Sequence, residues 1–182
     1  MPQTLLAILG IVLLGTTTMS IHAGRVHLQS RAIAREMEEM GTSLGLEVME
    51  VIRSRAFDQA VINKTTTGAA TDLNLFSYNG AQNHFTTGNG CSVFGAGATD
   101  CNDIDDFHKM QTATLPFVLG SDSVYFDVDV EVEYVDDSMA RYNGRTFNKQ
   151  VTVYVQDAWP GSSRDPYLTQ PIEIARVFSY TF

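Results

Sequence analysis

A chain of 182 residues with 21 acidic and 12 basic side chains, a formal net charge of -9, has room for one modest domain and an appendage. The excess of carboxylates excludes phosphate-backbone binding as a principal function, so no nucleic-acid partner is expected and proteins or cations are the candidate partners. The two cysteines, Cys91 and Cys101, stand among Gly, Ser, Thr, Asn and Asp. That setting suits a short disulfide and an oxidising compartment, with two free thiols as the alternative.

The first sixty residues form the organising stretch, a helical stalk over 1–60, with a β-rich head over 61–182. Residues 1–24 carry no charge, and their apolar centre is Leu5, Leu6, Ala7, Ile8, Leu9, Ile11, Val12, Leu13 and Leu14. This is short for a membrane span of about 20 apolar residues and reaches that length only by including Thr16, Thr17 and Thr18. The nearest basic residues, Arg25, Arg31 and Arg35, follow the apolar stretch. On the positive-inside tendency they would keep the head in the cytoplasm, against the disulfide. A short basic leader, removed from in front of Met1 after setting the orientation, reconciles the two.

From Arg31 to Ala60 the residues Ile33, Met37, Met40, Leu44, Val48 and Val51 recur in steps of three and four, an amphipathic helix. This stripe is expected to cover the head's own sheet. Gly41 and Gly45 lower helix propensity by up to about 1 kcal/mol each and permit close approach of a neighbouring helix. Residues 63–72 read as a linker. The section from Leu73 to Pro116 is expected to be irregular, interrupted by Gly80, Gly88, Gly90, Gly95 and Gly97 and pinned by the disulfide.

The last third is β-structure. Val124, Phe126, Val128, Val130, Val132 and Tyr134 alternate with Tyr125, Asp127, Asp129, Glu131 and Glu133, a half-buried strand with a wet acidic face. A turn over 136–145 contains Asn143 and Gly144, a second strand carries Val151, Val153 and Val155, and a third runs from Ile172 to Phe182. The fold class is therefore α+β, a long N-terminal helix packed on a C-terminal antiparallel meander.

Candidate chemistry is sparse. Asp100, Asn102, Asp103, Asp105 and Asp106 place several hard oxygen ligands in one loop, a candidate calcium site, although their spacing does not match the helix-loop-helix calcium motif. The competing reading is a solvated acidic loop or helix cap. No other cofactor is required. His84 and His108 lack partners at metal-ligand spacing and read as ordinary hydrogen-bonding residues. Without a nucleophile elbow or a phosphate-binding glycine loop, no enzyme activity is expected.

The order of these parts, from Met1-Pro2-Gln3-Thr4-Leu5-Leu6-Ala7-Ile8-Leu9-Gly10 through the amphipathic helix to the closing meander, resembles the type IV pilin superfamily. Asp103-Ile104-Asp105-Asp106-Phe107-His108 and the segment from Phe147 to Val155 are similar to stretches of minor pilin-like members. The resemblance implies a mature chain with a processed, methylated Met1. It implies a homo-oligomeric extracellular filament, anchored in the inner membrane before assembly, whose core is packed from Leu5, Leu6, Ile8, Leu9, Ile11, Val12, Leu13 and Leu14. It also implies local loss of helix at Gly15, Thr16, Thr17 and Thr18 within the filament. A minor pilin, a type II secretion pseudopilin, and a monomeric membrane-anchored binding protein are the alternatives. Pilins usually carry Glu at mature position five; Leu5 stands there, and the first acidic residue is Glu36.

Overall fold

The computed structural model describes residues 2–73, 101–109, 115–119, 122–158 and 167–181. Helix α1 runs unbroken from Pro2 to Arg53, 52 residues, or about 78 Å at 1.5 Å per residue. A short helix α2 (Gln59–Ile62) follows. The strands are β1 (Leu115–Leu119), β2 (Asp122–Tyr134), β3 (Asn148–Ala158) and β4 (Ile172–Ser179). Among the described residues they form one sheet in the order β1-β2-β3-β4, every neighbouring pair antiparallel.

The meander matches the alternation in the sequence, because Val128↔Val155, Val130↔Val153 and Val132↔Val151 pair across β2 and β3. These valines are buried and face α1, whose Met37, Leu44, Val48, Met49 and Ile52 complete the core. The buried face of the helix is turned slightly from the expected stripe. Ile33 is exposed, Met40 and Val51 are only partly buried, and Met49 and Ile52 are buried in their place.

The glycines explain that rotation. A Cβ at Gly41 would stand 2.7 Å from Ile172 Cδ1, and one at Gly45 would stand 2.7 Å from Ile174 Cδ1 and 3.2 Å from Val155 Cγ2. Both positions therefore let α1 settle onto β3 and β4. The close approach expected for a neighbouring helix is made by the chain's own sheet. Glu50 joins the same faces at the surface, 3.2 Å from Arg53 and 3.1 Å from Arg176 of β4, an exposed arrangement worth under about 1 kcal/mol.

Three boundaries differ from the sequence expectation. Helix α1 stops at Arg53 rather than near Ala60, although no Gly or Pro breaks it. Ala56 instead pairs with Asp103, and Asp58 turns extended to cap α2, its Oδ1 accepting from Ala60 N at 2.9 Å. Tertiary pairing thus overrides helix propensity. Residues 115–119, at the end of the stretch expected to be irregular, form the edge strand β1, where Pro116 is tolerated because an edge leaves donors unused. The segment 63–72, a linker by composition, is tied down: Asp72 Oδ2 accepts from Thr67 N at 2.6 Å, and Arg145 donates to Thr71 O at 2.7 Å.

Candidate functional site

Two features stand apart from an ordinary small α+β core. The first is the N-terminal half of α1. Ile8, Leu9, Ile11, Val12, Leu13, Leu14, Met19 and Ile21 are all between 58% (Ile21) and 78% (Met19) exposed. An 18-residue window of this helix has a mean hydropathy of 1.5 and is 0% buried, which by length and composition alone is enough to cross a membrane. An apolar surface this continuous is costly in water and marks a place where something else is covered. At about 1.5–3 kcal/mol for each large side chain, burying those eight would contribute on the order of 10–20 kcal/mol. Leu5 and Leu6 belong to the same helix, and Met1 lies outside the described residues.

Gly15, Thr16, Thr17 and Thr18 remain helical in the single chain. The threonine hydroxyls donate back to Leu13 O, Leu14 O and Gly15 O at 2.9 to 3.0 Å. Such bonds hide the polar group within the helix while weakening the backbone ladder slightly.

The second feature is a buried polar centre beneath the other end of α1. Lys149, in the middle of the head and 0% exposed, donates to Phe57 O at 2.7 Å, to Asp58 Oδ2 at 3.0 Å and to Asp105 Oδ2 at 2.8 Å. Its Nζ lies 4.4 Å from the centre of the Phe57 ring and 5.1 Å from that of Tyr134. Tyr134 donates its hydroxyl to Asp58 Oδ2 at 3.3 Å. Chain segments from the end of α1, the turn at Asp105–Phe107, β2 and β3 thus converge on one ammonium group.

Two carboxylates and one ammonium in a dry interior do not balance. Burial pushes the Asp105 carboxyl up to about 8, against the pull of Lys149 and with the push of Asp103 and Asp58. Burial, and then the neighbouring Asp106, raise Asp103 to about 6. Burial and the same acidic neighbours, Asp105 and Asp58, push the Tyr134 hydroxyl upward, so it stays a donor.

Of the calcium candidates, Asn102, Asp103, Asp105 and Asp106 are described, and they bond within their own turn and to Lys149. Asp103 Oδ1 accepts from the N–H groups of Asp105 and Asp106 at 2.9 and 3.1 Å, and Asp106 Oδ2 accepts from those of Asn102 and Asp103 at 2.9 and 3.3 Å. These carboxylates cap their own turn, and Asp105 is committed to Lys149. Among the described residues no three His, Cys, Asp or Glu side chains are grouped as a metal ion requires. Asp100, Cys91 and His84 lie outside the described residues. Cys101 is buried, and there is no free thiol among the described residues.

His108 Nδ1 accepts from Val132 N at 2.9 Å, and Lys109 N donates to Val130 O at 2.8 Å. The segment thereby occupies backbone groups of β2 beyond the reach of β1. Burial holds the His108 imidazole below its ordinary value, as an acceptor role requires.

Lys149, Asp58 and Tyr134 were not among the candidates from sequence, yet two of them carried a signal. Lys149 stands in phase with Val151, Val153 and Val155, and Tyr134 with Val130 and Val132, so alternation places both on the covered face. A lysine in phase with valines predicts buried partners of opposite charge. No family model, curated protein or solved structure matches the chain.

Proposed function

We propose that the chain is a structural subunit that polymerises through the apolar half of α1 into an extracellular filament of the type IV pilus kind, and that it waits in the inner membrane before assembly. The observation that carries this reading is the division of one continuous helix. Its C-terminal half is covered by the sheet of the same chain, while its N-terminal half presents a ring of large apolar side chains that nothing among the described residues covers. A helix that exposes apolar groups on all sides needs lipid or other helices around it. A bundle of identical stalks supplies that cover, and the heads then pave the outside. The Cys91–Cys101 disulfide belongs to the same proposal, since it fits a head that matures outside the cytoplasm.

Electron microscopy of native filaments, with mass identification of their major subunit, tests this reading. Abundant polymer of this chain is the expected result. Trace amounts within a filament of another protein would make it a minor pilin or pseudopilin, and membrane-bound monomer without polymer would make it an anchored binding protein. In the same assay, Ile11→Lys with Leu14→Lys is expected to abolish polymer while leaving the urea midpoint of the head unchanged.

A further inference from the structure

We infer that Lys149 and Asp105 condense into an intramolecular isopeptide bond, with Asp58 as the group that carries the proton. This does not depend on the filament reading, because it concerns only the interior of the head.

The geometry brings a nucleophile, an acceptor and a base together without solvent. Lys149 Nζ lies 2.8 Å from both oxygens of Asp105, donating to Oδ2, while Oδ1 makes no hydrogen bond. Equal distances to the two oxygens place the nitrogen on the symmetry plane of the carboxyl group, the plane that also contains the carboxyl carbon an amine must attack. Asp58 Oδ2 touches the same nitrogen at 3.0 Å, and the side chains of Lys149, Asp58 and Asp105 are 0%, 0% and 2% exposed. Near-contact distances between fixed reactants supply much of what a condensation lacks in solution.

The two carboxyls are not interchangeable. Asp58 accepts from Ala60 N, from the Tyr134 hydroxyl and from Lys149. All three contacts use its oxygens as acceptors, and one of them is to the very nitrogen that must lose a proton, which places Asp58 to carry it. Asp105 is the buried acid held up to about 8, and the protonated carboxyl has the leaving group that amide formation needs. The roles therefore divide into base at Asp58 and electrophile at Asp105.

Atoms and charges balance. The Lys149 ammonium gives a proton to the Asp58 carboxylate, and the neutral amine attacks the Asp105 carboxyl carbon as the N–C bond forms. Asp58 then relays the proton from nitrogen to the departing hydroxyl, the C–O bond breaks, and one water leaves. The products are a neutral amide and a protonated Asp58. No oxidant, metal or co-reactant enters. A buried ammonium with its counter-charges becomes an uncharged group, which favours condensation in a dry interior, where charge is costly to hold. The bond would join β3 to the turn at Asp105–Phe107, closing the head covalently at its centre.

The test is the intact mass of the folded, full-length chain after reduction and denaturation. The expected value is below the sequence mass by one water, about 18 Da, the covalent signature of an amide cross-link. Proteolysis should yield one branched fragment joining the peptides that contain Lys149 and Asp105, uncleaved after Lys149. Asp105→Asn should still cross-link with loss of ammonia in place of water, whereas Lys149→Arg and Asp58→Asn should retain full mass. A wild-type chain at full sequence mass after prolonged incubation in the folded state overturns the proposal without recourse to any variant. A water loss confined to a single linear peptide overturns it as well, since cyclisation of one Asp gives the same mass change.

Discussion

Replacing Gly45 by Ala sets two effects of known sign against each other. On propensity alone, Ala in a helix interior stabilises by about 1 kcal/mol. The added methyl, however, would lie 2.7 Å from Ile174 Cδ1 and 3.2 Å from Val155 Cγ2. Ile174 Cδ1 is the far end of a side chain and can rotate away at about 0.5–1.5 kcal/mol. Val155 is stiff at χ1 and fully buried in β3 between two paired strands, so the remaining clash falls on the helix–sheet spacing, and overpacking of this kind costs about 1–3 kcal/mol. The net expectation for Gly45→Ala is a loss of about 1 kcal/mol, read as a urea midpoint lower by roughly 0.5 M for the detergent-solubilised chain. At Gly41 the next atoms after Ile172 Cδ1 stand at 3.5 and 3.6 Å, ordinary contact, so Gly41→Ala should be close to neutral. In an Ile174→Val background, which removes the clashing Cδ1, Gly45→Ala should lose most of its penalty. A stabilised Gly45→Ala, or a penalty unchanged in that background, would refute the account of α1 settling on β4 through its glycines.

The buried acids set a pH dependence of unusual sign. Asp103 and Asp105 have folded values of about 6 and about 8 against 3.8 unfolded, so between these limits the folded chain binds more protons than the unfolded one. Their contribution is fully present below 3.8 and is lost as pH rises through 6 and then 8; the urea midpoint should be higher at pH 5 than at pH 8, and a flat or rising profile would contradict it. Where Lys149 and Asp105 have condensed, Asp105 no longer titrates and the fall should end near pH 6. His108 acts in the opposite direction, since a lowered imidazole value gives stability that is present above about 6.5, the unfolded value, and is lost as pH falls. His108→Ala should abolish this acid-side loss and cost about 1 kcal/mol, because Val132 N loses its acceptor; hydrogen exchange at Val132 should speed up in that variant.

The elements visible in the sequence are those with a period. Strand β2 announces itself by the alternation of Phe126, Val128, Val130, Val132 and Tyr134 with Asp127, Asp129, Glu131 and Glu133, and the amphipathic half of α1 by steps of three and four, so the helix-on-meander plan was legible. What was not legible depended on partners distant in sequence. Nothing within Arg53–Asp58 stops a helix; the stop comes from Ala56 pairing with Asp103, a contact between segments whose proximity no local pattern encodes. Asp105 looked like a cation ligand because its neighbours are also acidic. Its actual counter-charge sits 44 residues away on β3. Alternation could have exposed Lys149 as an inward lysine, but it could not have named Asp58 or Asp105 as its partners.

The threonine run sharpens what the stalk can do. As a membrane or bundle segment, the helix appeared too short because Thr16, Thr17 and Thr18 interrupt its apolar length. With their hydroxyls bonded to carbonyls one turn back, their polar groups are satisfied within the helix, and the compatible length extends to Ile21. In an apolar setting every backbone group must be satisfied internally, and here the helix ladder and the hydroxyls share that duty. The same hydroxyls are alternative partners for the carbonyls of Leu13, Leu14 and Gly15. If assembly stretches the helix at this point, they can hold carbonyls that the ladder releases, which lowers the cost of extension relative to a run of alanines. Cβ atoms at Gly10, Gly15 and Gly24 would meet nothing within 4 Å among the described residues, so a side chain at any of the three would add to the uncovered surface of the stalk.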